Sequence, residues 1–556
     1  MTETSPQTQP TILRVAVPRP LFQLLDYLPI KDSTPKAGCR VRVPFGHTEV
    51  TGVVIEITHT SEFDELKPIL ELLDSEPLLD QQTLTSLLWA SQYYHHPVGD
   101  VVAHALPLAL KGQRKVPKTP IWSIPPNTDK LDPSLLRAPK QLAVFEAISS
   151  TDKGVNEVTL QTQFGKSAKT LIRQLEKKLL IETLHSEFLF TPPDTSTTEP
   201  NTSNLELTKE QEDCIQSIQE AKPYLLHGVT GSGKTEVYLR VIEPILAANK
   251  QVLILVPEIG LTPQLLSRFT NYFSQSSIGK KVNTVVMHSK LSDGERMKAW
   301  LAAKTGQLDI LIGTRSAVFV PMPKLGMIVI DEEHDSSLKQ QEGFRYHARD
   351  LAVKRAHDLN VPIIMGSATP SLESLHNSNL QRYHYLHLSK RPGARTAPIV
   401  LVQDIRGLPL DSGVCSPLLA SIREHIETGN QVMLFLNRRG FAPALFCPQC
   451  GWHAECPSCD TNMTYHAHSN KLICHRCDFE RAVDNHCPEC GNKQITTKGQ
   501  GTERIEKKLQ THFPNTRIIR VDRDTTSRKG ELQQKLDLVN QGQPAILIGT
   551  QMLAKG

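Results

Sequence analysis

The sequence predicts an α/β protein built from two parallel-sheet domains. The second is incomplete and interrupted by a cysteine module, and a small β-rich domain and a winged-helix domain precede both. Three observations carry this reading. From residue 205 onward, apolar strands alternate with amphipathic helices, the rhythm of a parallel sheet covered on both faces. Eight of the 11 cysteines fall between Cys447 and Cys490 as four Cys-x-x-Cys pairs. A chain of 556 residues is also too long for one core.

Composition sets loose bounds. The chain is 39% apolar and 22% charged, as ordinary globular proteins are. A net charge of +4 permits a nucleic-acid partner without arguing for one. The opening MTETSPQTQP lacks a basic-then-apolar signal pattern. No apolar run approaches the roughly 18 residues that span a bilayer. The expected location is the cytoplasm, with no membrane partner.

In chain order, residues 1–110 open with short strands (TILRVAVP, CRVRVPFG, EVTGVVIEI) and continue into a helical stretch at TLTSLLWASQYY. Residues 111–190 hold KQLAVFEAI and KTLIRQLEKKLL, apolar at helical spacing, then the strand LIETL, an order that suits a winged helix. Residues 191–204, TPPDTSTTEPNTSN, lack periodicity and read as a linker. The first sheet domain, 205–395, has strands YLLHG, QVLILVP, NTVVMHS, DILIGT, MIVIDEEH and PIIMGSAT, with its clearest helix at TEVYLRVIEPILAANK. The second, 396–446 and 491–556, has VMLFLN, RIIRVD and AILIGT around the module at 447–490.

Between YLLHG and that helix, Gly228-Val-Thr-Gly-Ser-Gly-Lys-Thr235 fits GxxxxGK[ST] in the required strand–loop–helix context. Gly228, Gly231, Ser232 and Gly233 curl the backbone so that its N–H groups face a phosphate. Lys234 is placed to reach the β- and γ-phosphates of ATP, and the Thr235 hydroxyl to ligate Mg²⁺. MIVI runs into Asp331-Glu332-Glu333-His334. There Asp331 is expected to hold the Mg²⁺ shell, and Glu332 to orient and deprotonate the attacking water. Lys234, Asp331 and Glu332 are thus the catalytic candidates. PEIGLTPQ (257–264), GTRSAVF (313–319) and GSATPS (366–371) follow predicted strands on the same sheet edge. Their hydroxyls and amides, with Thr314, Arg315 and Thr369 foremost, suit nucleic-acid phosphates.

The set and order of these motifs resemble a superfamily-two helicase with two RecA-like lobes. VPEIGLTPQ, GTRSA, DEEHDSSLKQQEGFRYHARDLA and LFLNRRGFAP are similar to the bacterial replication-restart helicases of the primosomal protein N′ family, and the resemblance covers essentially the whole chain. It implies 3′→5′ unwinding of forked DNA, single-stranded DNA contact, and recruitment of single-stranded DNA-binding protein and primosome loading proteins at stalled forks, near the bacterial nucleoid. It implies that Phe344, Arg345, Tyr346 and His347 form an aromatic-rich loop coupling DNA contact to hydrolysis. Aromatic faces and an arginine also suit stacking on unpaired bases. In the N-terminal domain it points to Asp26, Gly38 and Lys67 as a grip on a 3′ DNA end. One departure from the family pattern is Leu25, which stands where an aromatic precedes the Asp-Tyr pair.

The cysteine pairs suffice for two tetrahedral Cys₄ zinc sites. Fourteen residues separate the central two pairs, near zinc-ribbon spacing. Folding that ribbon favours nesting: Cys447, Cys450, Cys487 and Cys490 on one zinc, and Cys456, Cys459, Cys474 and Cys477 on the other. Sequential pairing is the alternative, with iron–sulfur ligation a further one. The family resemblance implies the nested arrangement. His453, His466, His468, His475 and His486 are expected outside both ligand sets. The closing GTQMLAKG matches the start of a motif whose glycine-arginine continuation is not in the sequence, so a longer parent protein is expected. A fork-binding loading scaffold with impaired hydrolysis is the non-enzyme alternative.

Overall fold

A computed structural model describes residues 11–31, 33–125, 133–151, 154–186, 188–190, 206–257, 262–275, 282–289, 291–392, 398–411, 413–436, 444–459, 461–466, 471–474, 477, 479–484, 486–493, 495–498, 502–521 and 531–549. The 191–204 linker, residues 258–261 of PEIGLTPQ, residues 437–443 and nearly all of GTQMLAKG lie outside these. Two compact units emerge, Met1–Thr396 and Ala397–Gly556.

The first unit opens with a five-stranded antiparallel sheet, ordered Leu25–Tyr27, Ile12–Ala16, Thr48–Thr58, Arg40–Phe45, Glu71–Leu72. The segment from Lys67 to Leu73 ties its two edges together. Leu28 donates to the Lys67 carbonyl at 3.0 Å, and Leu70 to the Arg42 carbonyl at 2.7 Å, so the sheet closes on itself. Alternation along Arg40–Phe45 turns Val41 and Val43 into the interior. Arg40, on the opposite face, is fully buried. It forms a two-pronged pair with Asp74 (2.8 and 2.9 Å) and donates to the Leu110 carbonyl at 2.7 Å. Helices Gln81–Tyr93, capped by the Asp80 carboxylate, and Val98–Ala105 then carry one continuous core into the sheet domain.

Helices Pro139–Ser149, Glu157–Phe164 and Ala168–Lys177 follow, packed on a three-stranded antiparallel sheet ordered Val155–Asn156, Thr119–Ser123, Glu182–Ser186. The long apolar strands then build a seven-stranded parallel sheet: Thr284–Met287, Ile310–Gly313, Gln251–Leu255, Leu325–Asp331, Ile363–Ser367, Pro223–Gly228, His384–Leu388. All six expected strands are present. The seventh, HYLHL, was not foreseen, because an edge strand with an exposed face carries polar residues where a buried one is apolar.

The second unit holds a three-stranded parallel sheet, Val432–Phe435, Ala545–Gly549, Arg517–Val521, with helices Ser416–Glu427, Thr502–His512 and Glu531–Asn540. Between its strands stand the cysteine pairs. Thr464–His466, Lys471–Ile473 and Glu480–Ala482 form an antiparallel sheet, and Ala444–Phe446 pairs with Thr496–Lys498 at the base.

Candidate active site and metal centres

The parallel register brings the phosphate loop, DEEH and GSATPS together. Ile363–Ser367 lies between the strand ending in Gly228 and the strand ending in Asp331. Asp331 stands opposite Gly366, and Gly366 opposite Leu226. The loop turns into helix Lys234–Ala247 through Gly233, whose φ of +82° is a backbone state that other L-residues rarely adopt. A Cβ there would also stand 2.3 Å from Gln211 Nε2. That amide donates to the Ser232 carbonyl at 2.9 Å and is itself set by a capping box with Thr208. Lys234 Nζ donates to the Gly228 carbonyl at 3.1 Å. Ser232 Oγ is buried without a partner, Gly231 is exposed, and Thr235 is half-buried in the first helical turn. An orphaned hydroxyl and a turn of backbone amides at a helix N-terminus suit a polyphosphate.

Asp331 receives a 3.0 Å hydrogen bond from Tyr238 Oη. Burial, then the neighbouring Glu332 charge, push its carboxyl up to about 6, against the pull of Lys234. Glu332 adopts φ +50°, a left-handed state costing a non-glycine residue on the order of 1–3 kcal/mol. Its carboxylate lies 3.4 Å from His334 Nδ1, and that nitrogen is hydrogen-bonded to Ser367 Oγ at 2.7 Å. Ser367 Oγ also accepts from the Thr369 amide at 3.0 Å. Glu333 is fully buried. It accepts from the Ser371 amide (2.7 Å), Ser374 Oγ (2.9 Å) and Arg349 Nη1 (2.9 Å). Burial would raise its carboxyl, but these donors outweigh burial and hold it below the ordinary range.

Thr314 and Arg315 lie past the end of Ile310–Gly313, and Arg315 donates to the Ser337 carbonyl at 3.1 Å. Thr369 is exposed. The aromatic-rich loop corrects the stacking expectation. Phe344 and Tyr346 are buried, so neither offers a face to an unpaired base. Their rings pack on Phe319, and on Tyr94, His96 and His104 from the N-terminal helices and the loop between them, at centroid distances of 4.7–6.0 Å. The His347 amide donates to Tyr94 Oη at 3.2 Å, and only Arg345 of the four is exposed. The loop that follows DEEH is therefore wired to the N-terminal domain.

In that domain the structure brings Asp26 and Lys67 to adjacent segments, since Leu28 pairs with Pro68. Asp26 faces Arg14 at 3.7 Å, and Lys67 is exposed. Gly38 stands apart from them. Its φ is +89°, and a Cβ on it would meet the Leu79 carbonyl oxygen at 1.9 Å. The close approach it permits here is to the chain's own backbone. Leu25 packs against the interior of the closed sheet.

The cysteines settle in the nested arrangement, Cys447, Cys450, Cys487 and Cys490 in one group and Cys456, Cys459, Cys474 and Cys477 in the other, with the four sulfurs of each within 4.8 Å of one another. Each pair makes the same turn. The amides of Cys447, Cys456, Cys474 and Cys487 each donate to the carbonyl five residues on, at 2.7–2.9 Å. Sulfur separations of 3.5–3.6 Å are far too long for a disulfide. They lie close to the ~3.8 Å edge of a tetrahedron built on zinc–sulfur bonds of about 2.3 Å. No described histidine joins either group.

Sequence motifs missed Tyr238, Gln211 and Arg349. The spacing of Tyr238 from Lys234, one helical turn, and the Thr-x-x-Gln box at 208–211 were the available signals.

Comparison with known proteins agrees with this geometry. Residues 14–107 match the 3′ DNA-binding domain family, 208–378 the DEAD/DEAH box helicase family, and 456–481 the Cys-rich region domain of PriA DNA helicase. The chain is 43% identical to the replication restart protein PriA of Haemophilus influenzae, over 98% of this chain and 74% of that protein. It is 35% identical to the Bacillus subtilis protein of that name (94% and 73%) and 37% identical to that of Chlamydia pneumoniae (93% and 70%). With a 3′ DNA-binding domain, an ATP-hydrolysing helicase core and paired zinc-binding cysteine clusters in one order, the chain belongs to the replication restart protein PriA family.

Proposed function

We propose that the protein is a 3′→5′ DNA helicase that recognises stalled or repaired replication forks and starts primosome assembly there. The observation that carries this is the meeting of the phosphate loop, DEEH and GSATPS on one sheet edge, in a unit whose coupling loop is packed against a 3′ DNA-binding domain. Gly228, Gly231, Ser232 and Gly233 cradle the ATP phosphates, Lys234 neutralises them, and Thr235 and Asp331 hold Mg²⁺, which offsets charge developing on the phosphoryl oxygens. Glu332 takes the proton of the attacking water. Thr314, Arg315 and Thr369 face the DNA backbone, and the helix-and-sheet domain of residues 111–190 serves as a winged-helix contact to duplex DNA. Asp26 and Lys67 meet the 3′ end. The two Cys₄ clusters hold zinc and present a rigid surface to DNA or to single-stranded DNA-binding protein and primosome loading proteins in the bacterial cytoplasm.

Phe344, Arg345, Tyr346 and His347 act as a mechanical link. Their burial makes coupling a matter of packing between domains, with Arg345 left for phosphate contact.

ATP hydrolysis on forked DNA tests the proposal, with Lys234→Ala as control. Wild-type chain should hydrolyse ATP faster on a fork with a recessed 3′ end than on blunt duplex. Lys234→Ala should lose at least a thousandfold in rate, the scale of removing a phosphate-charge partner, with thermal melting unchanged. Equal rates on fork and blunt duplex would overturn the fork reading.

A further inference from the structure

We infer that Tyr238 is a positioning residue for hydrolysis, its hydroxyl fixing Asp331 for metal ligation and passing movements of the GSATPS strand to that carboxylate. The inference rests on the proposed role of Asp331 as a Mg²⁺ ligand. Tyr238 lies one helical turn beyond Lys234, almost fully buried, and donates to Asp331 Oδ1 at 3.0 Å. A buried phenol needs some acceptor, and a backbone carbonyl would serve a purely structural ring as well. Here the acceptor is the carboxylate that ends the DEEH strand.

The third party is Gly366. It sits directly across from Asp331 in the neighbouring strand. A Cβ on it would stand 1.6 Å from Tyr238 Oη and 2.9 Å from Cζ. The phenol occupies the space that any other residue at 366 would fill. The phosphate-loop helix, the DEEH strand and the GSATPS strand therefore converge on one oxygen atom. Glu333 reinforces this, because its amide donates to the Gly366 carbonyl at 3.0 Å. A shift of the GSATPS strand cannot leave the phenol, and so Asp331, where it was.

The test reads binding of a fluorescent ATP analogue to the full chain with and without Mg²⁺, beside hydrolysis and thermal melting, for Tyr238→Phe, Gly366→Ala and the double variant. Tyr238→Phe keeps the ring and removes the donor. It should leave affinity in EDTA unchanged, reduce the affinity gained on adding Mg²⁺ about tenfold, the scale of one hydrogen bond to a charged group, and slow hydrolysis by at least that factor. Gly366→Ala should act in the same direction and more strongly. Its effect should shrink in the Tyr238→Phe background, where the first clash is gone, the non-additivity expected of residues that act through each other. Unchanged Mg²⁺ dependence in Tyr238→Phe would overturn the inference. So would strictly additive effects, or a loss of affinity equal in EDTA and Mg²⁺, which a packing role alone produces. Asp331→Asn separates the underlying reading: if it leaves Mg²⁺ dependence untouched, Asp331 is not the metal ligand, whatever Tyr238 does.

Discussion

The nucleotide site of the first unit and the cysteine module of the second both sit on short turns between strands, yet their order has different sources. Strands Gln251–Leu255, Leu325–Asp331 and Ile363–Ser367 are nearly continuous buried apolar runs. That core is large enough to hold Glu332 in a strained backbone state and Glu333 as a buried charge. The module's buried cluster is Leu445, Ala454, Cys456, Met463, Leu472 and Cys474, so two of its six members are themselves ligand residues. In the lobe the fold positions the chemistry. In the module the chemistry makes the fold, as a small core requires.

The largest expected effect follows directly. Chelating zinc should unfold the module, because ligation in structural Cys₄ sites contributes on the order of 10 kcal/mol of apparent folding free energy. Hydrogen exchange should show Thr464–His466, Lys471–Ile473 and Glu480–Ala482 losing protection, while Leu325–Asp331 and Ile363–Ser367 keep theirs. Equal loss in both regions, or none in the module, would break the comparison.

The lobe is vulnerable elsewhere. Arg349→Met leaves Glu333 fully buried beside Ser371 and Ser374 without its cation. Removing one partner of a buried ion pair typically costs about 3–5 kcal/mol. Denaturant melting of the first unit should show that loss, and zinc content should stay the same. Because its donors lower the Glu333 carboxyl, the stability it contributes is fully present above its ordinary value of 4.5 and is lost as pH falls through the lowered one. In Arg349→Met the Glu333 carboxyl lacks one of the partners that lower it, so that acid-side loss should be smaller.

How much of this was legible in the sequence follows the same division. The phosphate loop, the DEEH strand and the four Cys-x-x-Cys pairs are local patterns, so spacing located them. The nesting of those pairs rested on ribbon folding and the family resemblance until the structure grouped the sulfurs. The bond from Tyr238 to Asp331 was not legible, because it depends on which strand lies between two motifs, and that is a matter of sheet order. The aromatic loop misled for a related reason. Phe344 and Tyr346 have the residue types of a stacking surface, but pattern does not say which surface, and their partners Tyr94, His96 and His104 lie some 250 residues earlier in the chain. Gly38 has the backbone freedom expected of it, and its close packing on the Leu79 carbonyl was not legible because that contact is made 41 residues further along the chain. The seventh strand escaped because its exposed face broke the apolar run.

The smallest expected effect tests that aromatic junction. His104 packs against Phe319, Phe344 and Tyr346. Burial, and then the cationic neighbours Lys111, His96 and Arg315, lower its pKa to about 4. The unfolded chain titrates near 6.5, so between these values the unfolded state binds the extra proton. The stability that neutral His104 contributes is therefore fully present above pH 6.5 and declines as pH falls toward 4. Going from pH 7.5 to pH 5 should cost the first unit roughly 2 kcal/mol through this residue alone. His104→Gln should remove that share of the acid sensitivity, and comparing the two chains cancels every other titrating group they share. The cysteine module should lose zinc over the same acid range in both chains, since protons compete with the metal for thiolates. If His104→Gln leaves the pH dependence of first-unit melting unchanged, the junction between the N-terminal helices and the coupling loop is open to water, and it cannot carry a packing signal from the 3′ end to the nucleotide site.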